Sequence, residues 1–249
     1  MSYFLYNNKK VYYDIKGKGT PLIIVHGNSV SSKMHSGLAN KLKQVFQVIS
    51  IDLPGHGKSE RIEEWPIDFW WENSNAVFEL IQHLQLKKVN LLGYSGGAQI
   101  VLNVALEHPD VVSNVIADSF EGSVSVPDFA QNVFEDRANT KKSFLAKLFW
   151  FRMHGRDWEK VVDNDSKVIY EHNRQIKEFF HKDLSEIKCP LLLTGSKKDE
   201  YVDNFDVFYN PILEKVPNAK FILYENGKHP AALTAGDEFI QDIIKFINK

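Results

Sequence analysis

Val89-Asn90-Leu91-Leu92-Gly93-Tyr94-Ser95-Gly96-Gly97-Ala98-Gln99-Ile100-Val101-Leu102 lies near the middle of the 249-residue chain and decides its reading. An apolar run ends in Gly-x-Ser-x-Gly, and a second apolar run with helical spacing continues from there to Leu106. That order puts the pentapeptide at a sharp strand-to-helix turn, where a serine hydroxyl is lifted clear of a sheet. The flanking glycines suit a strand and a helix that approach too closely for a Cβ. The helix aims its positive end and first N–H groups at the point where an oxyanion would form. A Gly-rich turn around a serine also serves simply to cap a helix, so Ser95 stands as a candidate nucleophile that other residues must support.

Outward from this turn, strand and helix signals alternate. Lys10 to Ile15 alternates like an edge strand and ends at the turn Gly17-Lys18-Gly19. Pro21-Leu22-Ile23-Ile24-Val25 is continuously apolar, as in a parallel strand buried on both faces, and Val45 to Ile51 repeats the signal. Residues 31–43 and 71–84 between these runs have helical spacing. Val111 to Ala117, Pro190 to Thr194 and Lys220 to Tyr224 read as further strands, and Asp237 to Asn248 as an amphipathic closing helix. The alternation predicts an α/β fold built on a mostly parallel sheet flanked by helices.

Residues 122–187 break the rhythm. They carry helical patterns, balanced charge and nine Phe and Trp residues from Phe129 to Phe180, but no buried-strand signal. We expect residues 1–121 and 188–249 to form one core domain, with 122–187 inserted as a helical cap above the strand ends. Most of the cap aromatics should pack among themselves, leaving a few to face a pocket.

Composition narrows the function classes. The chain is long enough for one large domain. No apolar stretch approaches the roughly eighteen residues of a membrane span, and Met1 to Tyr6 lacks the layout of a signal peptide. The single cysteine, Cys189, permits no intrachain disulfide and suits a reducing cytoplasm, the expected location. A net charge of -2 without a sustained basic run argues against nucleic acid as a partner. A small-molecule substrate is the expected partner, and the chain is expected to be a monomer or homodimer.

Attack by a serine requires a base, a group that orients the base, and donors for the oxyanion. In such folds these sit at the C-terminal ends of strands. Of nine histidines, His26, His56 and His229 follow strand ends. His229 follows the last strand and is the candidate base, whereas His26 suits a role in shaping its own loop. The order Ser…Asp/Glu…His makes Asp199, after the strand at 190–194, the candidate acid. Glu200, Asp203, Asp118 and Glu121 remain alternatives. The candidate oxyanion donors are the backbone N–H groups of Gly96 and Asn28, with Ser29 as fallback. Tyr94, Phe120 and Trp150 are the expected substrate contacts.

Taken together, His26-Gly27-Asn28, Asp52-Leu53-Pro54-Gly55-His56-Gly57-Lys58-Ser59, Gly93-Tyr94-Ser95-Gly96-Gly97, Asp199 and His229 resemble the α/β-hydrolase superfamily. The resemblance implies about eight mostly parallel strands, a Ser-Asp-His triad, and neither metal nor organic cofactor. Two departures are local. Lys228 precedes the histidine where a small residue is commoner, and Gly96 follows the serine where a larger apolar residue is frequent. The expected function is a serine hydrolase cleaving a small ester or thioester through an acyl-enzyme. An aminopeptidase-like enzyme and a carbon–carbon bond hydrolase are alternatives on the same triad, and a ligand-binding receptor that keeps the triad is a non-enzymatic one. Aspartate-dependent haloalkane and epoxide hydrolysis is disfavoured by serine at the turn.

Overall fold

Asn7 and Asn8, with φ of 48° and 60°, form a two-residue turn of the kind that joins tight hairpins. They connect β1 (Ser2–Tyr6) to β2 (Lys9–Lys16), which pair antiparallel. Strand β1 was not anticipated, and it corrects the reading of residues 10–15 as an edge. β2 lies inside the sheet, between β1 and β4 (Gln47–Ile51), and β1 takes the edge. The computed structural model describes residues 2–248; the side chain of Phe129 lies outside the described residues.

The remaining strands are β3 (Pro21–Val25), β5 (Val89–Tyr94), β6 (Val112–Asp118), β7 (Leu191–Ser196) and β8 (Ala219–Tyr224). All eight form one sheet in the order β1-β2-β4-β3-β5-β6-β7-β8, parallel from β4 onward. Central strands β3 and β5 are buried on both faces, which explains their unbroken apolar runs. One face carries α2 (Phe69–His83) and α3 (Gly96–Glu107) with α7 (Phe205–Lys215), around a core that includes Ile23, Leu91, Val101 and Leu193. The other face is covered by α1 (Ser36–Leu42), the one-turn α8 (Ala231–Thr234) and α9 (Asp237–Ile247), around Leu22, Ile24, Leu92 and Phe239. Helix α1 is shorter than the 31–43 pattern because Ser31 and Ser32 hold the preceding loop, bonding to Met153 O and the Asp52 carboxylate.

Between β6 and β7 run α4 (Pro127–Thr140), α5 (Phe144–His154) and α6 (Trp158–Gln175). Their packing differs from the expected self-contained aromatic core. Trp150, Trp158 and Val162 form a small cluster, and the two indoles stack at 5.6 Å. Ala130, Val133, Val168, Ile169 and Phe179 instead join the main core. Phe134, Phe144 and Phe151 are exposed.

Candidate active site

Ser95 follows β5 at the N-terminus of α3, with φ 53° and ψ -132°. Such a backbone costs a non-glycine residue on the order of 1–3 kcal/mol and persists where its surroundings enforce it. Here the enforcement is visible: Ser95 N–H donates to Asp118 O at 2.8 Å, tying the turn to β6. A Cβ on Gly93 would sit 2.0 Å from Gly97 O, and one on Gly97 2.4 Å from Val25 O. Only glycine lets the strand, the turn and the helix meet this closely.

The loop after β3 runs against the serine. The point a Gly27 Cβ would occupy is 3.5 Å from Ser95 Oγ. His26 at its start is buried, accepts from Leu53 N–H at 3.0 Å through Nε2, and faces Gly27 O at 2.8 Å through Nδ1. Burial, with His56 close by, holds its pKa well below the ordinary histidine value. Its geometry is that of a neutral loop brace. The backbone N–H groups of Asn28 and Gly96 make no hydrogen bond among the described residues. The Ser29 N–H, by contrast, is taken by Asp165 Oδ2 at 2.9 Å, which removes Ser29 as an oxyanion donor.

His229 lies in the loop after β8, its Nδ1 2.9 Å from Asp199 Oδ2 and 3.1 Å from Oδ1. Asp199 Oδ1 also accepts from Tyr201 N–H and Val202 N–H at 2.9 and 3.0 Å. Burial raises the Asp199 pKa, but the His229 imidazole and these N–H groups outweigh it and hold the carboxyl below its usual range. The alternative acids are engaged elsewhere. Glu200 accepts the backbone N–H of His229 at 3.0 Å, and Asp203 is exposed. Asp118 accepts from Thr194 Oγ1 at 2.7 Å and Ala232 N–H at 2.9 Å. Burial lifts Asp118 and Glu121 to about 7 each.

Ser95 and His229 line one cavity of about 520 Å³, together with Asn28, Tyr94, Arg137 and Trp150. Tyr94 reaches it while only 2% exposed, its hydroxyl 3.1 Å from His35 Nδ1. Phe120 corrects the sequence expectation. It is fully buried, packs against Tyr209 at 5.1 Å and does not line this cavity. Ser119 bends the chain at φ 52°, and the Phe120 N–H meets the Tyr209 hydroxyl at 3.2 Å. Lys228 is likewise absent from the lining.

Asp165, on α6, was missed. It is fully buried and accepts from Ser29 N–H, from Asn28 Nδ2 at 3.1 Å and from His56 Nε2 at 3.1 Å, and it pairs with Arg137 of α4 at 2.5 Å. Burial opposes its charge, yet Arg137 and these bonds hold its carboxyl well below the usual carboxylate range. His56 therefore braces this network at a distance from the serine. Among the described residues no group of three His, Cys, Asp or Glu side chains could hold a metal ion, and no helix is long and apolar enough to cross a membrane.

Residues 20–235 match the family model described as alpha/beta hydrolase fold. The human protein named Serine hydrolase BPHL is 26% identical over 242 residues, covering 94% of this chain and 81% of that protein. The (E)-2-((N-methylformamido)methylene)succinate hydrolase of Acinetobacter baylyi is 26% identical over 257 residues, covering 95% and 94%. In structure, an esterase from Exiguobacterium antarcticum superposes with a TM-score of 0.77 at 22% identity, over 97% of this chain and 96% of that one, a likeness of fold.

Proposed function

This chain belongs to the alpha/beta hydrolase fold family and is a hydrolase, and we propose that it cleaves a small ester or thioester through an acyl-enzyme formed on Ser95. The observation that carries the reading is the bond from His229 Nδ1 to Asp199 at 2.9 Å, with His229 and Ser95 on the wall of one cavity. The cavity's volume falls within the roughly 300–1,000 Å³ of small-molecule sites.

In this reading Ser95 Oγ attacks the substrate carbonyl while His229 Nε2 takes its proton. The backbone N–H groups of Asn28 and Gly96 hold the oxyanion. On collapse the carbon–oxygen or carbon–sulfur bond breaks, and the imidazolium protonates the departing alcohol or thiol. Water then attacks the acyl carbon and gives its proton to His229; the bond to Ser95 Oγ breaks, the imidazolium returns that proton to Oγ, and the acid leaves. Asp199 fixes the Nδ1–H tautomer and stabilises the imidazolium without taking the proton. Residues 122–187 act as the cap over residues 1–121 and 188–249, and Tyr94 and Trp150 contact the substrate.

A fluorophosphonate probe tests the assignment. The native protein should be labelled and Ser95→Ala should not; an unlabelled native protein overturns the reading. p-Nitrophenyl esters of rising chain length, with thioesters and aminoacyl amides alongside, then separate esterase from peptidase activity.

A further inference from the structure

Helix α5 is apolar on two opposite sides, and only one of them is covered. Trp150 and Met153 face inward at 6% exposure. On the outside Phe144, Leu145, Leu148 and Phe151 form a stripe at helical spacing, 75%, 74%, 53% and 49% exposed. A helix apolar all round normally has both faces buried, and contiguous exposed apolar surface marks an interaction site. The helix presents this stripe on a fixed mount. Lys33 Nζ and Arg61 donate to the carbonyls of Arg152 and His154, and Gly57 N–H donates to His154 Nδ1.

The charge along the helix's own segment is one-sided, with Asp136 of α4 an exposed carboxylate on the cavity wall it shares with Leu145. Residues 141–156 contain Lys141, Lys142, Lys147, Arg152 and Arg156 and no Asp or Glu, in a chain of net charge -2. Lys141 pairs with Asp163. Lys142, Lys147, Arg152 and Arg156 are exposed and form no ion pair among the described residues. Leu145 belongs both to the stripe and to the wall of the Ser95 cavity, so the apolar surface is continuous with the candidate active site.

We propose that the outer face of α5 docks this protein onto an anionic phospholipid surface, with the apolar stripe among the acyl chains and the flanking cations at the headgroup phosphates. Apolar side chains rimmed by Lys and Arg are the pattern of helices that lie in the membrane interface. A second copy fits less well. An isologous contact would set the same cations against one another, with no carboxylate on the stripe to neutralise them. Docking would place the cavity beside the layer into which apolar esters partition. The inference does not depend on the chemistry assigned to Ser95, because binding is read without turnover.

Co-sedimentation of the full chain with phosphatidylcholine vesicles, with and without phosphatidylglycerol, tests it. The protein should pellet with the phosphatidylglycerol vesicles and be released by added salt. Phe144→Glu and Leu148→Glu should abolish pelleting, and Lys147→Glu should weaken it by roughly tenfold. These side chains are exposed, and unchanged thermal unfolding midpoints would show that the variants fold. Absence of pelleting with both vesicles, or undiminished pelleting of Phe144→Glu and Leu148→Glu, overturns the proposal. So does a native dimer that those two variants convert to monomer, which would assign the stripe to a second copy.

Discussion

The Asp165 carboxylate accepts the backbone N–H of Ser29 at 2.9 Å, joining α6 to the loop that carries the candidate oxyanion donor. Ser29 sits at φ 56°, a conformation that needs support from outside its own turn. The same carboxylate holds the Asn28 side chain, is charge-balanced by Arg137 and bonds to His56 Nε2 at 3.1 Å. One buried anion thus couples the inserted helices to the position of the Asn28 N–H.

Asp165→Asn should therefore impair catalysis as well as folding. It leaves the half-buried Arg137 charge without its partner, a loss on the order of 1–3 kcal/mol in stability. Below its unfolding temperature we expect kcat on a p-nitrophenyl ester to fall at least roughly tenfold, with KM changed less, the pattern of an interaction made in the transition state. Steady-state kinetics alongside thermal unfolding checks this. A variant that melts earlier but keeps the native kcat would reduce Asp165 to a structural role.

The sequence carries unequal traces of these features. Ser95, Gly97 and the buried β3 and β5 were legible because a strained turn and a doubly buried strand restrict residue choice locally. Strand β1 has a local signal too, the Asn7-Asn8 pair between alternating residues. Asp165 left none: Asn28, Ser29 and His56 lie more than a hundred residues away on the loops after β3 and β4, Arg137 lies on a different helix, and α6 reads as an ordinary amphipathic helix. Phe144 and Phe151 misled for a related reason. Helical spacing reports that a face is apolar but not whether anything covers it.

Gly96 gains a specific reason from the structure. A Cβ there would lie 1.8 Å from Asn28 Oδ1 and 2.9 Å from Trp70 Nε1. Gly96→Ala should displace the Asn28 side chain, break its bond to Asp165 and lower kcat, with little change in thermal stability because a side-chain end can move. Asn28→Ala keeps the backbone N–H and removes the clash with Oδ1, leaving only the 2.9 Å approach to Trp70 Nε1. The double variant should then be no less active than Gly96→Ala alone, because both have already lost the bond from Asn28 to Asp165. A double-mutant cycle in kcat checks this, and simple additivity would refute the steric account.

Asp118 and Glu121 should contribute stability that falls as pH rises toward 7, against the opposite contribution of His26, His35 and His154, whose burial-lowered pKa values favour the folded chain as pH rises toward 6.5. Burial raises Asp118 and Glu121 to about 7 in the folded chain, against ordinary values near 4 in the unfolded chain. The folded state then binds more protons than the unfolded state across that interval. The corresponding stability is present below about pH 4 and lost as pH rises through about 7. Glu121→Gln should remove its share, making the pH slope of the unfolding free energy between roughly pH 5 and 7 more positive than in the native chain, by an amount on the order of 3 kcal/mol at most. An unchanged slope would place the titration elsewhere.

Asp199 and Glu200 are neighbours that meet different atoms of His229. Asp199 faces the imidazole Nδ1 at 2.9 Å, whereas Glu200 accepts the backbone N–H at 3.0 Å. Asp199→Asn can donate to Nδ1 and so favours the tautomer that places the proton on Nε2, where it cannot accept from Ser95. Its kcat should drop by roughly a thousandfold or more. Glu200→Gln keeps an acceptor for the backbone N–H and should retain kcat within about threefold, since a neutral hydrogen bond is worth only about 1 kcal/mol. Hydrolysis of a short p-nitrophenyl ester by the two variants checks both. A Glu200→Gln variant as inactive as Asp199→Asn would move the orienting role onto Glu200.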